Sequence, residues 1–503
     1  MKPTLASLLT ICLLAACTNV PLTPATPDPV IVIYPTPTAT FIPSQIPERF
    51  FPFRAGLVAS AQSVLPDMSD ASTYRIEFIV QEDLVHIQGH EEVSYTNRET
   101  APLTEIQFRL FPNLLGGKME VSKVLVNESS VTPSYGLANS LMIVPLETPL
   151  AVGQSTHIAM DFTLEVPTDV ELNYGVLAYY DNVLTLAHAY PVIPVYDASG
   201  WNAEIPPQSG DLTFNDMAFY LVTVTAPEGL TVVASGAESA PVTRDRQNVW
   251  TVAAGPARDF FVAASRDFDV TSETVGEVTV NSYAPQSLKS QSRDMLATGV
   301  QSLKIFEELY GPYPYTEFDI VATPTLALGV EYPGITAIAA RILQGEYGSD
   351  TAIYLESTVA HETAHQWFYN LVGNDQLDQP WLDESLAQFA TWQYYQRSYG
   401  PAAAGGFEAS LHSRWQRVNN APIPIGMPVA SYAGNEYGAI VYGRGAFFLD
   451  ALETQMGPST FDAFLRDYVA TYSWEIATTD GFKSLAEKHC SCNLTPLFEE
   501  WVY

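Results

Sequence analysis

The chain has 503 residues, which is too long for one compact core, so two or three domains are expected. Its 56 acidic residues against 23 basic ones give a formal net charge of −33, which excludes charge-driven binding to nucleic acid or to anionic lipid headgroups. Apolar residues make up 47% of the sequence, enough to bury sizeable cores. The acidity is typical of a solubilising surface outside the cytoplasm; an acidic cleft for amine-bearing substrates is the alternative.

Residues 1–17 have the pattern of a signal sequence. Lys2 supplies a positive charge, and the mainly apolar run at 5–16 is too short to span a bilayer stably. The run ends in the letters LAAC at Cys17, which resemble the lipobox of bacterial lipoproteins. The resemblance implies that Cys17 carries a lipid that anchors the protein to a bacterial membrane, at the cell surface or the periplasmic face. A plain secretory signal is the alternative.

Residues 18–49 are predicted to form a linker. Eight prolines are interleaved with threonines and small residues in this segment. Because proline fixes φ and lacks an amide donor, we expect an extended, polyproline-rich tether. Its expected role is to space the folded body from the lipid.

Two folded domains are predicted beyond the linker. Residues 50–265 contain short apolar runs separated by turn residues, which predict an all-β sandwich or saddle-like domain. Residues 266–503 are mixed and predict an α+β domain. Its expected strands are 277–284, 318–323 and 336–340, and its expected helices are 287–310, 352–371, 381–396, 403–417, 439–454, 459–471 and 480–489.

Two cysteines remain in the folded body. A disulfide between Cys490 and Cys492 would close a very small, strained ring, so we do not expect a stabilising bridge. As metal ligands they lack a second pair beyond the neighbouring His489. The sequence assigns them no function.

The letters HETAH at 361–365 lie within one of the predicted helices. Residues four apart share a helix face, so His361 and His365 can reach a single ion. Neutral imidazoles are good ligands for Zn²⁺, and a catalytic zinc site needs three protein ligands and an open fourth position. Glu362 can lie beside a water at that position without ligating the metal, which is where a general base belongs.

A third ligand is offered one loop downstream. The letters PWLDES place Glu384 at the start of the next predicted helix. A carboxylate from an adjacent antiparallel helix would complete a site of two histidines and one glutamate. The pattern predicts one Zn²⁺ per chain, held by His361, His365 and Glu384.

Together these letters resemble the gluzincin aminopeptidases, the metallopeptidase family of aminopeptidase N and the leukotriene hydrolase. The segment HETAHQWFYNLV matches, and WLDES stands where the family usually shows WLNEG, with eighteen residues between His365 and Glu384. The resemblance implies a thermolysin-like catalytic domain, zinc ligands at His361, His365 and Glu384, and a catalytic base at Glu362.

Two further motifs extend the resemblance. The letters LGVEYPG at 328–334 are similar to the family's GAMEN segment, which implies that Gly329 and Glu331 bind substrate and that Glu331 holds its free α-amine. The letters VYGRGA at 441–446 are similar to YEKGA, which implies that Tyr442 donates its hydroxyl hydrogen to the developing oxyanion.

The chain also departs from the family. Thr391 stands where relatives often carry a glutamate, and the segment 184–197 has no match for a glutamine that helps to hold the substrate amine. His188 lies in that segment, but a lone histidine is more often structural, and we assign it no role. The sequence ends at Tyr503, so we expect no helical C-terminal domain of the kind that roofs the family's catalytic chamber.

The predicted function is that of a zinc-dependent aminopeptidase acting on peptides with a free N-terminus. A zinc endopeptidase is the alternative within enzymes, because an unroofed cleft would admit longer chains. From another class, the chain could be a non-catalytic surface binding module, although such members typically lose a ligand or the base.

Overall fold

The computed structural model describes residues 47–207 and 209–503. These residues belong to one compact unit. The predicted signal with Cys17, and the linker up to residue 46, lie outside the described residues. None of the described helices combines the length and the apolar character that crossing a bilayer requires.

The first half of the described chain is β-rich, as predicted. This half begins with a 3₁₀ helix at Glu48–Gly56, whose first two residues belong to the predicted linker. Eighteen strands follow: β1 Ser72–Val80, β2 His86–Thr96, β3 Leu103–Arg109, β4 Lys118–Val126, β5 Ser129–Ser130, β6 Ser134–Gly136, β7 Leu141–Leu150, β8 Ser155–Glu165, β9 Leu177–Tyr180, β10 Val183–Ala187, β11 Tyr196–Asp197, β12 Gly200–Trp201, β13 Ala218–Pro227, β14 Thr231–Ala234, β15 Ala237–Glu238, β16 Val242–Arg244, β17 Gln247–Ala257 and β18 Phe261–Ser265.

A nine-stranded sheet organises this region. Its order is β15-β17-β13-β1-β2-β8-β4-β5, with β16 also pairing with β17. β1 and β13 are parallel, and β2 is antiparallel to β1. Along β1, Tyr74, Ile76 and Phe78 are buried while Arg75 and Glu77 are exposed, the alternation of a strand with one face on a core. That face packs on two smaller sheets, β14-β18-β10-β9 and β3-β7-β6.

The second half is α+β, which confirms the predicted change of class. Its elements are β19 Phe268–Val275, β20 Val278–Pro285, α1 Lys289–Tyr310, β21 Glu317–Thr323, β22 Gly329–Tyr332, β23 Ile335–Ala339, α2 Ala340–Leu343, α3 Thr351–Ala364, α4 Glu384–Tyr399, α5 Pro401–Gln416, α6 Glu436–Ala439, α7 Gly445–Met456, α8 Pro458–Tyr472, α9 Thr479–Cys490 and α10 Thr495–Trp501. A π-helical segment, Ile440–Arg444, joins α6 to α7.

The five-stranded sheet of this half has the order β19-β20-β21-β23-β22. β20, β21 and β23 run parallel, and α1 makes the crossover between β20 and β21. The two halves share a continuous apolar core, in which the ring of Phe261 from β18 stacks on Tyr332 from β22 at a centroid distance of 4.1 Å. The β-rich half therefore packs against β22, the strand that carries Glu331.

Two predicted helix boundaries were wrong, and both lie beside the candidate ligands. The helix predicted at 352–371 ends at Ala364, and His365 is its C-cap. The helix predicted at 381–396 begins at Glu384, after a 3₁₀ turn at Pro380–Leu382. The Asp383 carboxylate accepts the Glu384 N–H and so caps α4 at its start.

A disulfide joins Cys490 and Cys492, although their spacing in the sequence is reason to doubt a stabilising bridge across so small a ring. Ser491 between them has φ 50° and ψ 39°, the left-handed conformation that ends α9. This turn brings the two Cα atoms to 5.1 Å, within the usual range for a disulfide. The local chain reversal thus makes the small ring possible.

A buried arginine ties the two halves together. Arg258 follows β17, is 2% exposed, and has no acidic partner within ion-pair distance in the described chain. Its guanidinium donates instead to backbone carbonyls of Asn215, Tyr369, Asn370, Leu371 and Glu475. Three of these carbonyls belong to the loop that follows α3.

Replacing Arg258 with Met should destabilise the whole unit. The change keeps an unbranched side chain but leaves buried carbonyls without donors, so we expect the free energy of unfolding to fall by about 3 kcal/mol. Chemical denaturation followed by tryptophan fluorescence measures the change. Arg293→Met, at an exposed position on α1, is the matched control and should shift stability by less than about 0.5 kcal/mol. Equal stability of both variants would contradict the assigned role.

Candidate active site

The three predicted ligands converge at the junction of α3 and α4. The Nε2 atoms of His361 and His365 lie 3.2 Å apart, and their rings are nearly perpendicular. Glu384 Oε2 lies 3.1 Å from His361 Nε2 and 3.4 Å from His365 Nε2. All three side chains are largely or fully buried. The i, i+4 spacing and the first residue of the next helix therefore produce the cluster that the sequence predicted.

The spacing of these three atoms fits a zinc ion. Ligands about 2.0–2.1 Å from Zn²⁺ in a tetrahedron lie roughly 3.3 Å from one another, and the observed separations are 3.1, 3.2 and 3.4 Å. His365 Nδ1 lies 2.9 Å from the Phe368 carbonyl, which can only accept a hydrogen bond. That contact places the proton on Nδ1 and leaves Nε2 free as a ligand.

Further contacts fix Glu384. Its free oxygen, Oε1, accepts a short hydrogen bond from the hydroxyl of Tyr442 in the π-helical segment. Ser385 Oγ donates to the Val441 carbonyl at 2.8 Å and ties α4 to the same segment. The predicted Tyr442 thus touches the ligand set, with its hydroxyl at the edge of the site.

Glu362 lies on the side of the cluster that faces β22. It is 4% exposed, and its Oε2 has no hydrogen-bond partner within the described residues. Burial raises the pKa of Glu362 well above its usual value, and the neighbouring Glu331 raises it further. A Cβ at Gly329 would lie 2.4 Å from Glu362 Oε1, so only glycine allows this close approach. Gly329, predicted to bind substrate, is therefore also required to place Glu362.

Glu331, which the motif assigns to the substrate amine, lies next to Glu362. Oxygen atoms of Glu331 and Glu362 and a nitrogen of His365 all lie within 4.8 Å of one another. Glu331 Oε1 accepts a hydrogen bond from Gln376 Nε2 at 3.2 Å. Burial raises the pKa of Glu331. A carboxylate so placed can pair with a cationic group of a ligand.

Glu331 belongs to an acidic subsite with three residues that were not predicted as site residues: Asp211, Gln376 and Asp383. Gln376 bridges Glu331 and Asp383, and the carboxylates of Asp211, Glu331 and Asp383 lie within 4.8 Å of one another. The only signal for Gln376 was its place in the short loop between the second and third ligands. Asp211 lies in an irregular segment of the β-rich half, and nothing in the sequence pattern pointed to it.

His188, which we assigned no role, lies in the wall of the cavity in front of the three ligands. Its Nδ1 is 2.9 Å from Asp259 Oδ2, and its ring packs near Phe111 and Tyr332. The β-rich half thus contributes the His188–Asp259 pair to the cavity wall, and His188 lies in the segment 184–197, where no glutamine was found.

A cavity of about 790 Å³ lies in front of the three ligands. Its lining includes most of the predicted site residues: Gly329, Glu331, His361, Glu362, Glu384 and Tyr442. His365 lies behind them, fully buried. The volume is in the range of small-molecule and short-peptide sites, and both halves of the chain supply its walls.

The fold and the site agree with comparisons to known proteins. Residues 295–501 match the description Peptidase family M1 domain. Aminopeptidase M1-C from Oryza sativa subsp. japonica is 28% identical over 241 residues, which are 44% of this chain and 26% of that protein. Leukotriene A-4 hydrolase from Xenopus laevis is 23% identical over 441 residues, which are 79% of this chain and 66% of that protein. The matched regions thus span from about a quarter to two thirds of these relatives.

A solved structure has a similar fold. The M1 zinc metallopeptidase from Deinococcus radiodurans superimposes with a TM-score of 0.62 at 20% identity, over 86% of this chain and 93% of that one. The fold and the three convergent ligands define a metallopeptidase domain with Zn²⁺ as its cofactor. The match to the Peptidase family M1 domain over residues 295–501 covers the motifs at 361–365, 380–385 and 441–446 and agrees with the family resemblance found in the sequence.

Proposed function

We propose that the protein is a zinc-dependent aminopeptidase that removes N-terminal residues from peptides. The observation that carries the proposal is the position of Glu331 beside Glu362 and the ligand set. A carboxylate at that place would bind a substrate ammonium next to the hydrolytic centre. Relatives named aminopeptidases and a neighbouring structure described as bound to a Tyr-Ser-Ala substrate support the choice of peptides.

His361, His365 and Glu384 would hold the zinc, which supplies Lewis acidity toward a carbonyl and a water when bound. Glu362 takes a proton from the attacking water and returns it to the leaving amine. Its unpartnered Oε2, buried at the cavity wall, is available for that proton. Gly329 leaves room for the same carboxylate, because a Cβ there would lie 2.4 Å from Oε1.

Tyr442 would stabilise the developing oxyanion by donating its hydroxyl hydrogen. Burial raises the pKa of Tyr442 well above its usual value, so the phenol stays protonated and can donate. In the structure that hydrogen is directed to Glu384, and a substrate oxygen would compete for it.

The acidic subsite favours aminopeptidase activity over endopeptidase activity. Asp211 and Glu331 line the cavity, and the carboxylate of Asp383 lies within 4.8 Å of both. An internal peptide bond brings no cation to balance them, whereas a free N-terminus does. We also propose that the β-rich half is a sandwich, because its nine-stranded sheet packs on two smaller sheets, and that the second half is the thermolysin-like catalytic domain that the family resemblance implies.

Glu362→Gln should abolish turnover while the zinc remains bound. The amide keeps the shape but cannot take a proton, so we expect kcat/KM to fall by about 10³-fold. Activity on aminoacyl-coumarin substrates and metal content by mass spectrometry are measured together. Glu384→Ala, which removes a ligand, should lose both zinc and activity. Activity of Glu362→Gln within about tenfold of the parent would refute the assigned base.

Glu331→Ala should weaken hydrolysis of substrates that carry a free N-terminus. The loss of a charged partner in a buried subsite predicts a fall of about 100-fold in kcat/KM, mainly through KM. Internally quenched peptides with an acetylated N-terminus are assayed beside free-amine substrates. Glu346→Ala, at an exposed position, is the control. Cleavage of the blocked peptides by the parent, with equal losses on both substrate types, would instead support an endopeptidase.

Export and anchoring are a separate part of the proposal, which rests on the lipobox-like letters that end at Cys17. Expressed in a bacterial host, the parent should fractionate with membranes, and Cys17→Ser should move to the soluble fraction because the thiol that accepts the lipid is gone. Cys12→Ser is the matched control and should stay with membranes. Soluble parent protein would contradict the anchor.

A further inference from the structure

One cation faces the cavity close to the ligand set. Arg414 on α5 is partly exposed and belongs to the cavity lining. A Cβ at Gly443 would lie 2.9 Å from the Trp415 backbone nitrogen and 3.1 Å from the Leu411 carbonyl oxygen. Because Gly443 has no side chain, α5 packs directly on the π-helical segment that carries Tyr442. This packing places Arg414 beside the hydrolytic centre.

The guanidinium of Arg414 makes no hydrogen bond or ion pair with any described residue. Three other arginines of the catalytic half are paired, Arg341 with Glu346, Arg397 with Glu308, and Arg444 with backbone carbonyls. Arg293 and Arg417 have no such partner among the described residues either, but both are exposed to bulk water and neither lines the cavity. The chain has 56 acidic residues to pair with 23 basic ones, so a missing partner is not a shortage of acids. A guanidinium that faces a cavity without a partner is free to pair with a bound anion.

Arg414 and the acidic subsite are carried by different elements of the cavity wall. Glu331 lies on β22, whereas Arg414 lies on α5, and its Cβ would be 3.2 Å from a Cβ at Gly443 in the π-helical segment. Both side chains line the cavity together with the ligands His361 and Glu384. The cavity wall therefore offers a negative group and a positive group around the hydrolytic centre.

We propose that Arg414 binds a carboxylate of the peptide substrate, and that its source is the C-terminal carboxylate of a dipeptide or tripeptide. A zwitterionic short peptide matches the cavity, because its ammonium faces Glu331 and its carboxylate faces the planar guanidinium, which can hold both oxygens. The inference rests on the proposed aminopeptidase function and adds the substrate class: short peptides with a free carboxyl terminus.

The test compares peptides that differ only at the carboxyl end. Leu-Gly-Gly with a free carboxylate, its C-terminal amide, and Leu-Glu-Gly amide are assayed beside leucyl-coumarin amide. We expect the parent to hydrolyse the free acid at least tenfold more efficiently in kcat/KM than the amide. This ratio needs no variant, so it remains decisive even if a substitution at Arg414 impairs folding.

Two variants and a control assign the preference to one side chain. Arg414→Gln should bring the acid-to-amide ratio of kcat/KM close to one. Arg414→Lys should retain part of the preference for the acid, because lysine keeps the charge but cannot hold both carboxylate oxygens as a planar guanidinium does. Arg417→Gln, an exposed arginine three residues further along, should leave the ratio as in the parent. A purely structural role of Arg414 would lower the rates on both peptides and leave the ratio unchanged.

The remaining outcomes are also decisive. A ratio near one in the parent, with leucyl-coumarin amide hydrolysed, overturns the carboxylate site and leaves the aminopeptidase intact. A preference for Leu-Glu-Gly amide that Arg414→Gln removes, without an acid-to-amide effect, overturns the C-terminal source in favour of a side-chain carboxylate. No hydrolysis of any substrate by zinc-loaded protein overturns the proposed function itself.

Discussion

The geometry of the site depends on where α3 ends, because this helix carries His361 and has His365 as its C-cap. Arg258 fixes the chain that follows that end. The guanidinium donates to the carbonyls of residues 369–371, which no continuing helix satisfies. Phe368, just before them, offers its carbonyl to His365 Nδ1. A cation from the β-rich half therefore orients the second imidazole through the backbone, and the two halves of the chain must be packed together before the metal site has its shape.

The sequence could predict the ligands because their spacing is local. His361 and His365 are one helical turn apart, and Glu384 begins the next helix, so the pattern itself carries the geometry. The end of α3 could not be predicted in the same way. Trp367, Phe368 and Leu371 are buried and keep a helical spacing, and no glycine or proline marks a stop.

The residues that sequence reasoning missed act over long separations. Arg258 and Tyr369 are 111 positions apart, and Glu331 and Gln376 are 45 apart. Asp211 comes from an irregular segment with no periodicity to interpret. Polar groups of this kind are placed by tertiary packing, and their chemistry becomes visible only when their neighbours are known.

Part of the chain's acidity lies inside the cavity, which changes how the net charge should be interpreted. The surface explanation accounts for exposed acids, but Glu331 and Asp383 are almost wholly buried and lie against Asp211. Burial and mutual repulsion raise the pKa values of Asp211 and Asp383, so the charged form of the cluster is unfavourable by itself. Gln376 can donate to only part of this set. A cationic ligand relieves the repulsion, and the cluster is therefore better explained as a binding subsite than as a solubilising feature.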